Sequence, residues 1–178
     1  MLQYIHISMP GTPVTVMLNI SGCLSYPVFY SKGAAHMSDT LDRFVKAQQY
    51  TYSVALREIR AGRKESHWMW FIFPQMRGLG KSSMSYTYGI ADLAEAKAYL
   101  AHPVLSARLI EITEALLNLD KSNPYAVFGG TDARKLCSSM TLFASVSENG
   151  SVFHRALAKF FGGRMDHRTL ELLGKVKE

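Results

Sequence analysis

The sequence predicts an all-α fold, a single compact multi-helix domain interrupted by one irregular aromatic segment. Three observations carry this expectation. Apolar residues recur at intervals of three and four over most of the chain from residue 39 onward. Capping residues stand in front of these stripes. A chain of 178 residues with 48% hydrophobic content closes one well-buried core and is too short for two comfortable ones.

Asp39 or Thr40 can cap a first helix whose stripe is Leu41, Phe44, Val45, Tyr52, Ala55, Leu56 and Ile59, with Gly62 ending it. Asp92 and Glu95 make a capping-box-like start for a short helix reaching Leu100. His102 and Pro103 open the next, with proline where its missing N–H costs nothing. Its buried stripe runs through Val104, Leu105, Arg108, Leu109, Ile112, Leu116 and Leu119 until Asn123 and Pro124 stop it. Gly129 and Gly130 read as a turn, after which Asp132 caps a helix through Leu136, Met140 and Phe143. Ser151 caps another through Phe153, Leu157 and Phe160, and Asp166 a last short one ending near Gly174.

Upstream the composition changes abruptly. Lys32 is the only charged residue among the first 36, whereas soluble domains carry roughly a quarter charged residues. Residues 1–36 therefore read as a non-native or disordered extension, with Met37 the natural first residue and 37–178 a single helical domain. The alternative is a short β-like extension with a strand over 14–20.

Charge and cysteine usage narrow the function classes. The net charge of +6 favours an anionic partner, but the basic residues are dispersed and no RNA or DNA motif accompanies them, which argues against nucleic acid. Cys23 and Cys137 have neither paired nor metal-ligand spacing, so no disulfide framework and no metal site is expected, and a reducing cytoplasm is the simplest setting. No stretch of about 18 uncharged apolar residues suits a membrane span, and the basic start of a signal peptide is missing.

The residues that point to chemistry cluster around Ser66 to Gln75, which holds both tryptophans, two phenylalanines and a histidine. A segment needing only burial could use Leu, Val and Ile, whereas indole and imidazole nitrogens require partners. The run is thus a very aromatic core element or the floor of a pocket. His67, between a charged stretch and the apolar run, suits proton transfer or a hydrogen-bonding anchor, although a capping or core histidine is the plainer reading. Trp68, Trp70 and Phe73 can stack on a planar ring, against which stands simple core packing. Gly78, Gly80, Lys81 and the serines after them hold the ingredients of a phosphate loop, without the spacing of a Walker motif. Asp132, Lys135, Ser138 and Ser139 follow the double glycine, and the first three share one helix face, giving an anion-binding or acid/base cluster or merely a cap with polar surface.

Together these residues resemble a widespread family of small, mainly bacterial domain-of-unknown-function proteins that sometimes carry the label calpastatin. The resemblance rests on Phe44 with Ala47 and Gln48, the whole run from Ser66 to Gln75, Gly78-Leu79-Gly80, Tyr99-Leu100 with His102-Pro103, Phe128-Gly129, Asp132, Lys135-Leu136, Ser138 to Phe143, and Asp166 with Thr169-Leu170. It covers about 40–173 and implies an all-helical, intracellular bacterial protein without an established activity. Cys137 stands where an arginine is expected in many relatives, which weakens a phosphate role needing that side chain. Calpain inhibition has no support in the residues, since such inhibitory segments are disordered chains and this composition is that of a packed domain.

The expectation is a small-ligand pocket, with or without turnover, for a nucleotide-like or ADP-ribose-like anion. His67 and Asp132 would transfer protons or orient, Lys135 and Lys81 would meet phosphate, Trp68 or Trp70 a ring, and Gln48 and Gln75 would anchor polar groups. No nucleophile-and-base spacing names a reaction, and no cofactor is assigned. This reading requires His67 and the helix through Asp132 on the same side of the domain. Its rival is a non-enzymatic interaction module with the aromatic run as core or dimer interface.

Overall fold

The computed structural model describes residues 3–9, 12–18 and 32–175, with side chains from residue 40 onward. Two units divide the chain, Met1–His36 and Met37–Glu178. In the first, β1 (Gln3–Met9) pairs antiparallel with β2 (Thr12–Leu18), Met9 opposite Thr12 and Gln3 opposite Leu18. The alternative reading of this region put a strand over 14–20; β2 covers its first part, and Asn19 and Ile20 lie outside the described residues, as does Cys23.

The second unit is all-α. Its helices are α1 (Lys32–Gln48, which starts upstream of the unit boundary), α2 (Tyr52–Arg60), α3 (Met69–Ile72), α4 (Ser83–Thr87), α5 (Leu93–Ala101), α6 (Pro103–Leu117), α7 (Pro124–Ala144), α8 (Val152–Phe161) and α9 (His167–Leu172). The expected caps hold at Asp92, whose carboxylate accepts from Glu95 N, and at Asp166, which accepts from Thr169 N. Glu95 completes a variant of the capping box by accepting from the N–H of Ala91 at 2.7 Å. His102 caps α6 through Nδ1, and Asn123 caps α7.

Three expectations are corrected. The single helix expected from residue 41 to Ile59 is two, because the stripe leaves a gap between Val45 and Tyr52 where Gln48 turns inward and Tyr50 outward. The glycine pair does interrupt the helix, two helical segments meeting at Gly129 (φ 70°, ψ −178°) within the span of α7. Asp132 lies just past this break, and its carboxylate bonds lysines rather than capping the second segment. Ser151 does precede α8, but its hydroxyl is 2.9 Å from His154 Nδ1 and makes no cap bond.

α7 packs against α8 and α9, and α6 against α2, α5 and α8. The aromatic run supplies a large part of the core: Trp68, Met69, Phe71, Ile72 and Phe73 are all buried. Trp68, Phe73 and Phe128 meet with ring centroids 6.1 to 6.4 Å apart, while Tyr99 bridges Phe44 and Phe143 at 5.2 Å each. Each such side chain contributes roughly 1.5–3 kcal/mol by burial. After α3, a parallel bridge between Met76 and Ile90 turns the chain toward α5.

Candidate functional site

The connection from α2 to α3 is held by one carboxylate. Glu58, 8% exposed in the last turns of α2, accepts from Glu65 N at 2.8 Å, Ser66 N at 3.0 Å, Trp68 Nε1 at 2.8 Å and the Ser66 hydroxyl. Burial alone would raise its pKa. The Ser66 hydroxyl, the Glu65 and Ser66 N–H groups and the indole outweigh it and hold the carboxyl down at about 2.

Lys64 extends this anchorage to α7. Its backbone N–H donates to Val127 O at 2.8 Å, and its side chain is only 7% exposed. The ammonium donates to Ser66 O at 2.7 Å, pairs with Asp132 Oδ2 at 2.7 Å and lies 4.9 Å from the Trp68 ring centroid. From one turn further along α7, Lys135 Nζ reaches Asp132 Oδ1 at 2.8 Å and sits 4.2 Å from the centroid of Trp70. Both lysines and the aspartate are thus fixed by paired charges and by aromatic faces.

Burial would raise the Asp132 pKa, but hydrogen bonds and charge from Lys135 and Lys64 prevail and lower it below the usual carboxylate range. Near neutrality Asp132 is therefore ionised. That makes it a poor proton donor, and two ammonium neighbours make it a weak base, so its chemistry is orientation of the lysines. Two cations on one anion leave one positive charge uncompensated within the bridge. Immediately beside it, Gly129 and Gly130 have open space where a Cβ would stand.

His67 is exposed, in the segment between Lys64 and Trp70, both of which contact residues of α7. Trp70 is half-buried, with one face toward Lys135. Trp68 is 0% exposed with its N–H committed to Glu58, which makes it part of the wall. Ser138 bonds the Arg134 carbonyl at 3.2 Å; Ser139 is buried with its hydroxyl unpartnered. Gln48 is buried elsewhere in the core, donating to Phe71 O at 2.7 Å and Tyr99 Oη at 3.0 Å and accepting from Arg108.

The glycine-rich segment belongs to a different local arrangement. The carbonyl of Gln75 accepts from Ile90 N at 2.9 Å, and Gly78 adopts φ 99°. A Cβ on Gly80 would lie 2.6 Å from that of Ser85, so this glycine permits close packing of the loop on α4. Lys81 is exposed and makes no ion pair among the described residues. Cys137 donates weakly to the Arg164 carbonyl at 3.8 Å, two residues and about 200° around the helix from Lys135. Its side chain serves packing near the α8–α9 connection, away from the lysine face.

Sequence reasoning missed Glu58 and Lys64. A signal existed for the first: a buried indole N–H demands an acceptor, and Glu58 is an acidic residue standing within the apolar stripe of α2. Among the described residues no helix is long and apolar enough to cross a membrane, and no group of three His, Cys, Asp or Glu could hold a metal ion.

Fold and site define a small all-helical domain with a lysine–aspartate bridge laid on an aromatic wall. Residues 38–173 match the family described as protein of unknown function (DUF1810), and the chain belongs to it. It is similar to the crystal structure of the conserved hypothetical protein Rv1873 from Mycobacterium tuberculosis, at 48% identity and a TM-score of 0.74, covering 77% of this chain and 97% of that one. No curated protein matches.

Proposed function

We propose that this protein binds a small phosphorylated compound of nucleotide-like or ADP-ribose-like character at the break in α7. The observation that carries the reading is the convergence of Lys64 and Lys135 on Asp132 beside the open Gly129–Gly130 kink, with Trp70 under Lys135. Lys135, 19% exposed, meets the phosphate first, with Lys64 behind it. The exposed His67 orients or protonates an oxygen of the ligand, and the free part of Trp70 supports its ring. Asp132 holds both ammonium groups in place. Burial of Trp68, Phe71 and Phe73 leaves the aromatic run itself little surface for a dimer interface, since of its two tryptophans only Trp70 is partly accessible. Residues 37–178 carry the function without 1–36, and a cytoplasmic setting keeps the free Cys137 thiol reduced.

A thermal-shift series with nucleotides, NAD and ADP-ribose tests this. A ligand at a hundred times its Kd adds about 2.7 kcal/mol of stability. The shift is expected with the parent, and is lost in Lys135→Gln and His67→Ala. Absence of any shift, or a shift that survives both substitutions, overturns the proposal.

A further inference from the structure

A second group of cations stands apart from the α7 bridge. Arg43 of α1 and Arg77, which follows the bridge residue Met76, line a cleft of about 240 Å³ with Ala91, Asp92, Ala94 and Glu95 at the start of α5. Both arginines direct an Nη2 to the same acceptor, the carbonyl of Gly89, at 3.1 and 3.3 Å. That carbonyl is held in place on both sides. Arg77 N donates to Ile90 O at 2.8 Å, and a Cβ on Gly89 would stand 2.8 Å from Arg77 Cα, so only glycine allows the approach.

The two guanidinium groups are unequally neutralised. Arg43 pairs with Glu95 at 2.7 Å, whereas Arg77 has no carboxylate within ion-pair distance among the described residues and lies 4.9 Å from the Tyr86 ring centroid. The Nε–H groups of both are buried and lack an acceptor. A charged donor without a partner is unfavourable, so two guanidinium groups in one cleft, only one of them matched by a carboxylate, suit an oxyanion. A tetrahedral anion in the cleft has oxygens for the remaining N–H groups of Arg77.

Asp92 selects among anions. One of its oxygens caps α5 by accepting from Glu95 N at 2.8 Å, and the residue is exposed at the cleft. A bare anion there meets a like charge, while a hydroxyl beside the anion can donate to the carboxylate. We propose that this cleft binds a small phosphorylated polyol, with the phosphate on Arg77 and Arg43 and a neighbouring hydroxyl on Asp92. The volume suits a phosphate with a short polyol.

Titration calorimetry of the full chain with glycerol 3-phosphate, inorganic phosphate and glycerol provides the test. Glycerol 3-phosphate is expected to bind most tightly. Arg77→Gln weakens it at least about tenfold and Arg77→Lys by less, because lysine keeps the charge and loses the fork. Asp92→Asn reduces the preference for glycerol 3-phosphate over inorganic phosphate. The inference is overturned if glycerol 3-phosphate gives no heat at millimolar concentration, if Arg77→Gln binds like the parent, or if Lys135→Gln abolishes binding, which would place the ligand at α7. Equal affinity for the two phosphates, indifferent to Asp92→Asn, refutes the polyol assignment.

Discussion

Replacing Glu58 by glutamine tests whether one carboxylate organises the approach to the site. The amide keeps the volume but offers one acceptor oxygen where two served, and it turns an NH₂ group toward donors. The structure supplies the magnitude. Lowering the pKa from 4.5 to about 2 is worth about 3 kcal/mol, trimmed to about 2–3 kcal/mol by solvent at the rim of the carboxylate. The sign follows from the direction of the shift: a group whose pKa is depressed on folding stabilises fully above its unfolded value and loses this as pH falls through its folded value. Urea denaturation of parent and Glu58→Gln, repeated from pH 7 down to pH 2, should show a gap of about 2–3 kcal/mol at neutrality. That gap should hold to about pH 4.5 and close toward pH 2. A gap below about 1 kcal/mol, or one that stays constant through the acid range, would refute the assignment of Glu58 as the acceptor that fixes this turn.

Other consequences can be checked separately. Gly129 has open space around it but a φ of 70° with ψ of −178°, a region essentially restricted to glycine, so Gly129→Ala should destabilise by about 1–3 kcal/mol. Gly130→Ala, equally open and without positive φ, should be neutral or stabilising by up to about 1 kcal/mol, and both are read from thermal melts. Lys64→Met strips a buried partner from Asp132 and should cost about 3 kcal/mol in urea titration. Because the Asp132 pKa is lowered, that cost should be present above the ordinary value of 3.8 and fade in stronger acid. Burial, then the nearby Asp166, push the Cys137 thiol up to about 11, against a hydrogen bond with Thr141 and the charge of Arg164. In a Cys23→Ser background, iodoacetamide at pH 8 should alkylate it at least about tenfold more slowly than an exposed cysteine.

The helices were legible where local chemistry decides them. Asp92, His102 and Asp166 announced their helix starts because a side-chain oxygen or nitrogen three residues or fewer from the first free N–H is a local arrangement. The all-α class followed from the spacing of Leu105, Leu109, Ile112 and Leu116, all buried. Nonlocal decisions were hidden. Gln48, expected to anchor a ligand's polar groups, is buried because Phe71 O and Tyr99 Oη, 23 and 51 residues away, supply its partners. Asp132 looked like a cap because the sequence does not disclose that Lys64 would stand opposite it. The glycine pair, by contrast, was legible: Gly129 leaves helical φ and ψ, and two helical segments meet across it.

The density of rings between Ser66 and Gln75 has a cause beyond filling a core. Trp68 answers three demands at once: its body packs on Phe73 and Phe128, its N–H closes the Glu58 carboxylate, and its face receives the Lys64 ammonium. Leucine could meet only the first. Trp70, two residues on, offers its face to Lys135, so alternate indoles carry the two cations that share Asp132. A desolvated ammonium over an indole contributes up to about 2 kcal/mol, enough to keep each lysine where a solvated chain would roam. The paired tryptophans therefore place fixed positive charge against α7, because a lysine held between an indole face and Asp132 has settled rotamers.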